Sequence, residues 1–137
     1  MAANTSPVFE KDPISYGITY VNADSSPTKK DLVPTGGVPT EGSRVDQITI
    51  TSDDTSARVI KFYDHDGSVS YLIGSVNVPT LAGTDGSTAL VDAMTTLAPA
   101  LGYITLMSGH KLQAENATTI TAAKTVTIVA RGGKFTA

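Results

Sequence analysis

The sequence predicts an all-β fold: an antiparallel β-sandwich or jelly roll with an extended N-terminal arm and one short helix. Threonine occurs 20 times in 137 residues, and 12 glycines and 7 prolines add frequent turn formers. Abundant threonine and valine with many turn residues are typical of sandwiches rather than of helical bundles. Short apolar runs also recur at spacings of roughly ten residues, which is the strand rhythm of sandwiches and jelly rolls.

The composition limits the function classes. Charged residues make up 17% of the chain, hydrophobic residues make up 40%, and the net charge is -3. Low charge with this hydrophobicity argues against disorder, and a chain without a basic face is poorly suited to bind nucleic acid. No apolar run approaches the roughly 18 residues of a membrane span. We therefore expect neither nucleic acid nor a membrane as a partner.

The N-terminal sequence MAANTSPVFEKDP has neither the charged region nor the apolar region of a secretory signal peptide. Synthesis in the cytoplasm without export is therefore expected. Cysteine is absent from the sequence. Its absence excludes disulfides, thiolate metal sites and cysteine nucleophiles together.

The predicted organisation is an extended arm over residues 1–16, followed by one sandwich domain over residues 17–137. Pro7 and Pro13 exclude a helix in the arm and disfavour a central strand there. Two interpretations are open: a frayed terminus, or an arm that docks onto its own sandwich or onto a partner. The candidate partner-binding residues are the four apolar side chains of the arm, which are costly to leave in water: Val8, Phe9, Ile14 and Tyr16.

Four strands are predicted in the first half of the domain, over residues 17–22, 44–52, 57–63 and 69–78. The second is the clearest, because apolar and polar residues alternate from Gln47 to Thr51 as they do in a half-buried strand. A long loop without periodicity, residues 23–42, separates the first two strands. The third and fourth are joined by a turn over residues 64–67, since Asp-Gly favours tight reversals. Gly74 indicates a bulge or close packing.

The second half is predicted to hold one helix and three strands. Apolar residues at three- and four-residue spacing predict the helix over residues 88–101, where Ser87 or Thr88 caps its start and Pro99 limits its end. The strands cover residues 103–107, 111–115 and 124–131, and the last of them ends at Gly132-Gly133. The alternation within the strands predicts one shared core that contains Ile48, Ile50, Val126 and Ile128.

No residue set in the sequence carries a recognisable chemistry. His65 stands between Asp64 and Asp66, but a calcium loop needs further ligands at fixed offsets, which residues 68–72 do not supply. Ser108 and His110 lie in one turn, and a nucleophile so close in the chain to its base is poorly placed. We therefore predict no enzyme, no cofactor and no metal site, and the residues favour a structural or binding module.

Several segments resemble a family of small virion proteins of tailed bacteriophages. Residues 2–9 (AANTSPVF) are similar to the family's start, and residues 42–48 (GSRVDQI) are similar to its first strong strand. Residues 58–62 (RVIKF) and residues 108–112 (SGHKL) are similar to a later strand and a late hairpin. The chain departs from the family in having Ser-Gly-His at residues 108–110, where Ala-Gly-Tyr is usual.

The family resembles capsid cement, or decoration, proteins of the Bordetella-phage type. The resemblance implies a jelly roll on the exterior of the capsid, often a homodimer, that clamps neighbouring subunits of the major capsid protein. The expected location is therefore the virion, after synthesis in the host cytoplasm. Two alternatives stay open: a tail or receptor-binding sandwich module, and a carbohydrate-binding module. The second of these would require a clear Ca²⁺ site or exposed aromatic residues on one strand face, for which Tyr63 and Tyr71 are the candidates.

Overall fold

The computed structural model describes residues 9–136, and the side chains of residues 12–135, as two antiparallel sheets packed face to face. The strands are β1 (Phe9–Val21), β2 (Lys29–Val33), β3 (Ser43–Ser52), β4 (Arg58–His65), β5 (Ser70–Val78), β6 (Val91–Asp92), β7 (Ile104–Leu106), β8 (Lys111–Asn116) and β9 (Thr125–Thr136). One four-residue α-helix, α1 (Met94–Leu97), and one 3-10 turn, Thr35–Gly37, complete the elements. The predicted all-β sandwich with a short helix is confirmed.

The strand order identifies the sandwich as a jelly roll. Sheet A has the order β1-β9-β3-β6, with β7 on the same side of β3 as β6, and sheet B has the order β2-β8-β4-β5. The first strand thus pairs with the last, the second with the next to last, and the chain folds as a doubled-over hairpin. All pairs are antiparallel.

The core lies between the two sheets and follows the predicted alternation. Ile48, Ile50, Val126 and Ile128 are all fully buried, as the sequence predicted. Ile50 faces Ile128 across the β3–β9 pair. Sheet B contributes Ile60, Phe62, Leu112 and Ala114 to the same cluster.

Strand β1 corrects the predicted boundary between arm and domain. The strand begins at Phe9 rather than at residue 17 and pairs with β9 from Phe9–Thr136 to Val21–Thr125, with one register shift between Glu10 and Asp12. Pro13 is tolerated because β1 is an edge strand, where a missing N–H can face solvent. Half of the segment predicted as an arm is therefore part of sheet A.

The predicted loop over residues 23–42 also contains structure. It holds strand β2 and the 3-10 turn. The strand could not be recognised from the sequence KKDLV, because apolar and polar residues do not alternate at its end. Lys29 and Asp31 are exposed, but the neighbours Leu32 and Val33 are both buried. The register shift between Asp31 and Val33 in the β2–β8 pair accounts for this.

The predicted helix over residues 88–101 shrinks to α1. Residues 91–92 form a short strand against β3, and the helix follows only after Ala93. Its first amide, that of Met94, donates to the Asp92 carboxylate at 3.0 Å. The apolar spacing reflects packing at the open side of the sandwich, where Leu97 lies against Gly74 of β5.

The glycine pair at residues 132–133 does not end the last strand, which continues to Thr136. Gly132 sits opposite a register shift between Val45 and Gln47 of β3. A Cβ atom at this position would lie 1.9 Å from the carbonyl oxygen of Arg44. The glycine is therefore required by a close backbone approach and is not a strand terminator.

A buried ion pair holds the end of the sandwich where β3 meets β4. Asp54 is fully buried and accepts from Arg58 Nε at 2.7 Å and from the Thr121 hydroxyl at 2.7 Å. Burial alone would raise the pKa of Asp54, but the hydrogen bonds from Arg58, Thr121 and the Ser56 amide outweigh it and hold the pKa well below its usual range.

Candidate interaction surfaces

The structure places the four predicted partner-binding residues differently. Val8 lies outside the described residues, and Phe9 is the first residue of β1, with a side chain outside the described range. Ile14 is buried in the core with 9% exposure, and Tyr16 is half-buried against the same core. These two side chains thus already contact their own domain, and a role for them in partner binding stays a prediction.

The outer edge of β1 is closed at one end by polar caps. The amide of Val21 donates to Asp24 Oδ2 at 2.9 Å, and Lys30 Nζ donates to the carbonyl of Thr19 at 2.6 Å. Lys30 also forms an ion pair with Asp24 at 2.8 Å. Hydrogen bonding by Lys30 and by the Val21 amide holds the pKa of Asp24 below its usual value.

Between Pro13 and Thr19 the edge is uncharged and exposed. Ser15, Gly17 and Thr19 are all exposed to solvent, and no described strand pairs with β1 on this side. A strand edge with free backbone groups is a template for pairing with another chain. This stretch, residues 13–19, is called the β1 window below.

Four exposed apolar side chains lie on or beside two turns at the opposite side of the fold. Val69, just before β5, is 49% exposed, Tyr71 and Leu72 at the start of β5 are 57% and 58% exposed, and Met107 after β7 is 66% exposed. Tyr71 and Leu72 are neighbours in the strand and face opposite sides of it. The β4–β5 turn and the β7–β8 turn are adjacent there, because a Cβ atom at Gly67 would lie 3.9 Å from the carbonyl of Gly109. We call these four residues the hairpin-end patch.

Hydrogen bonds hold the two turns that carry the patch. His110 Nδ1 lies 2.9 Å from Asp64 Oδ1, which joins the β7–β8 turn to β4. Asp66 Oδ1 accepts from the amides of Ser68 and Val69, and these bonds lower the pKa of Asp66. The predicted reversal is present, with Gly67 at a φ of 102°, but it covers residues 66–69 rather than 64–67, because Asp64 and His65 belong to β4.

The outer face of sheet B carries a polar network that crosses all four strands. His65 Nδ1 lies 2.9 Å from Ser70 Oγ, and that hydroxyl donates to Gln113 Oε1 at 2.7 Å. Gln113 Nε2 donates to Asp31, which also pairs with Lys111 at 3.2 Å. Because the Ser70 proton is used on Gln113, His65 Nδ1 acts as the donor to Ser70.

The two tyrosines considered for carbohydrate binding do not form an aromatic platform. Tyr63 is half-buried, lies under the Lys29 ammonium at 4.6 Å and donates to Glu115 at 3.2 Å. Tyr71 is opposite Asp64 in the β4–β5 register, whereas Tyr63 is opposite Leu72. Neighbouring strand positions face opposite sides of a sheet, so the two rings do not share a face.

Within residues 12–135, no group of three or more His, Asp or Glu side chains is placed to hold a metal ion. Ser108 and His110 lie in one turn, and the His110 ring nitrogen contacts Asp64.

A shallow cavity of about 210 Å³ is lined by Asp46 and Asp92 together with small and apolar residues beside α1. Asp46 is paired with Arg44 at 2.7 Å. No helix of the described chain is long and apolar enough to cross a membrane.

Sequence reasoning did not find the hairpin-end patch. Tyr71 and Leu72 belong to a predicted strand, and Met107 to another, so each was expected to be part of a sheet. Their exposure follows from two features that the sequence does not display: β5 is an edge strand, and a register shift opposite Phe62 and Tyr63 interrupts its pairing. An uncharged run such as residues 68–78 at a predicted sheet edge is the signal that could have identified it.

Comparisons with known proteins identify the fold but not a family. No family model and no curated protein matches the sequence. A chain in the acidic stable capsid structure of Helicobacter pylori bacteriophage KHP30 has a similar fold, with a TM-score of 0.53, 14% identity, and coverage of 92% of this chain and 91% of that chain. A chain in the cyanophage Pam1 capsid asymmetric unit aligns with a TM-score of 0.48 and 16% identity, over 98% and 93% of the two chains.

Proposed function

We propose that this chain is a structural virion protein, a cement or decoration protein that binds the exterior of a bacteriophage capsid and clamps neighbouring subunits of the major capsid protein. In this role it is not an enzyme and needs no cofactor. It is made in the host cytoplasm and joins the shell as a pair of identical copies. Its partners are the major capsid protein and a second copy of itself.

The observation that carries this proposal is the likeness to a chain of the KHP30 capsid. The two chains align over 92% and 91% of their lengths, so two small chains of nearly equal size match from end to end. The sequence resemblance to phage decoration proteins, which rests on residues 2–9, 42–48, 58–62 and 108–112, supports the same role independently.

The hairpin-end patch is the surface best suited to the capsid partner. It contains four of the eight large hydrophobic side chains that are exposed in the described chain. Several large apolar side chains exposed on adjacent turns mark a candidate protein interface. The His110–Asp64 contact and the Asp66 turn fix the backbone beneath the patch, so little ordering entropy is lost when it docks.

A small patch is sufficient for a protein of this kind because binding is repeated over a lattice. Each copy contributes a modest contact, but a copy that bridges two capsid subunits makes its second contact at high effective concentration. A pair of copies extends this to more subunits. Shell stabilisation therefore arises from the number of bridged interfaces rather than from one tight site.

The test is sedimentation of the purified protein with capsids that lack it. We expect the wild-type protein to pellet with the capsids, and the double variant Leu72→Ser/Met107→Ser to bind at least about tenfold more weakly, since a tenfold loss needs only about 1.4 kcal/mol from the two apolar side chains together. Both residues are exposed, so the fold is retained.

The matched control is Leu101→Ser, which removes an equally large side chain that is 69% exposed outside the patch. It should bind capsids as the wild-type protein does. Equal loss in both variants would show that general surface hydrophobicity, and not the patch, carries the binding. Absence of wild-type co-sedimentation would remove the decoration function altogether.

The predicted arm enters this proposal through residues 2–8. Deleting them leaves β1 intact, because the strand begins at Phe9. If Val8 and its neighbours contact the capsid, the truncated protein unfolds at the wild-type temperature but co-sediments less. Full co-sedimentation of the truncated protein would remove the arm from the binding site.

The tail or receptor-binding alternative predicts a different location in the particle. Immunogold labelling of intact virions distinguishes the two: label over the whole capsid surface supports decoration, whereas label confined to the tail supports the alternative.

A further inference from the structure

We propose that the β1 window pairs antiparallel with the same window of a second copy, centred on Gly17, so that the two A sheets join into one continuous sheet. This inference rests on the self-association in the proposed function and specifies where it occurs. The observation behind it is a hydrogen-bonding pattern along the edge of β1 that is complementary to itself.

The caps on β1 determine which backbone groups face outward. In an antiparallel pair, a residue either exchanges both hydrogen bonds with its partner or directs both groups away from it. The Val21 amide is bonded to Asp24, and its carbonyl accepts from the Asp24 amide, so Val21 faces away from β9. The Thr19 carbonyl, bonded to Lys30, faces the same way.

The same alternation continues down the strand. The β1–β9 register is unbroken from Asp12 to Val21, so Gly17, Ser15 and Pro13 follow Thr19 on the outer edge. Within the described chain these residues face no other strand of sheet A. The window therefore presents backbone donors and acceptors at residues 15, 17 and 19.

The ends of the window match each other when two copies are aligned on Gly17. Ser15 then faces Thr19 of the other copy, Gly17 faces Gly17, and Pro13 faces Val21. Pro13 has no N–H, and the Val21 N–H is already bonded to Asp24, so neither position presents an unpaired donor to the other. The Thr19 carbonyl can accept a second bond while Lys30 occupies its first lone pair.

Gly17 itself is not explained by the chain's own packing. A Cβ atom there would meet its nearest neighbours, atoms of Ile128 and Val129, at 3.8 Å, which is ordinary van der Waals contact, and its φ is not in the left-handed region. Glycine weakens a strand interior and commonly marks the close approach of another backbone. The centre of the proposed pair is where that approach occurs.

The segment is also suited to self-pairing in its chemistry. Residues 13–19 (PISYGIT) carry no charge, and the Lys30 ammonium on the Thr19 carbonyl is paired with Asp24, so two copies meet without strong repulsion although each chain has a net charge of -3. Tyr16 and Ile18 are half-buried on the inner side of β1, and the second copy covers their remaining surface. By contrast, the register shift in β5 interrupts the other long free edge.

Cysteine cross-linking tests the register, because the native chain contains no cysteine. In the proposed pair the two Cα atoms of residue 17 lie about 5.5 Å apart, which a disulfide can span. Gly17→Cys should oxidise to a covalent dimer both in solution and on capsids. Two control variants should stay monomeric on denaturing gels. Thr127→Cys lies on β9, the neighbour of β1 in sheet A, and Leu72→Cys lies on the β5 edge.

Gly17→Pro provides a second measurement. Its lost N–H faces away from β9, so the domain should still fold, as circular dichroism can verify, but the central hydrogen bonds of the pair are lost. Light scattering should give twice 14.2 kDa for the wild-type protein and a single chain mass for this variant. Gly17→Ala, which keeps the N–H, should remain paired.

Two results would overturn the inference. Cross-linking through Leu72→Cys and not through Gly17→Cys would move the contact to β5. A monomeric protein that also fails to cross-link through residue 17 on capsids would exclude the pairing. In both cases co-sedimentation of the wild-type protein with capsids, measured in parallel, tests the decoration function independently of the pairing.

Discussion

Ile128 and Val129 are adjacent in β9 but face opposite sides of sheet A. Ile128 is fully buried in the core, whereas Val129 is half-buried on the outer face. Truncation of a buried isoleucine to alanine removes its transfer free energy and leaves a cavity. The same truncation of Val129 leaves no enclosed space.

We therefore expect Ile128→Ala to lower the free energy of unfolding by about 2–5 kcal/mol and Val129→Ala to lower it by about 1 kcal/mol or less. Urea denaturation followed by circular dichroism measures both. Equal losses in the two variants would contradict the assignment of Ile128 to the core face and Val129 to the outer face of β9.

Asp54 provides the second test at the scale of single residues. Asp54→Asn leaves Arg58 without its charge partner in a site where Arg58 is only 15% exposed. We expect a loss of about 3 kcal/mol at neutral pH, as for other broken buried ion pairs. Glu41→Gln, at an exposed position, is the control and should be neutral.

The pH dependence follows from the direction of the shift. The folded pKa of Asp54 lies below the unfolded value of about 3.9. Its stabilisation is therefore fully present above that pH and is lost as the pH falls through the folded pKa. The difference in melting temperature between wild type and Asp54→Asn should narrow below about pH 4, and a difference independent of pH would contradict this account.

At the scale of elements, the close contact between β3 and β9 makes the strongest prediction. Gly132→Ala would place a Cβ atom within 1.9 Å of the Arg44 carbonyl, and backbone cannot move aside as a flexible side chain can. We expect a loss of about 3 kcal/mol, at the upper end of overpacking effects. Gly36→Ala, whose Cβ would meet nothing within 4 Å, is the matched control in thermal unfolding.

The elements also show what the sequence could and could not predict. Strands β3, β4, β5, β8 and most of β9 were predicted because alternation and turn residues are local signals. The start of β1, strand β2 and the extent of α1 were not, because each depends on a neighbour distant in sequence: β9 for β1, β8 for β2, and the β3 edge for residues 91–92. Gly132 was misinterpreted for the same reason.

At the scale of the whole molecule, the class of fold was predictable and the surfaces were not. The core residues follow from binary patterning, which any two-sheet topology must satisfy. Whether Tyr71 is exposed, or Ser15 lies on a free edge, depends on which strands occupy the sheet edges. That order is a property of the folded chain, so the candidate interfaces emerged only from the structure.

The position of β9 has a consequence for how the protein folds. Strand β9 lies in the middle of sheet A, between β1 and β3, although almost the whole described chain separates it from β1 in sequence. Within the described residues β1 pairs with no other strand of sheet A, so β1 stays unpaired until β9 docks beside it. Completion of sheet A therefore depends on a non-local contact, and such contacts slow folding.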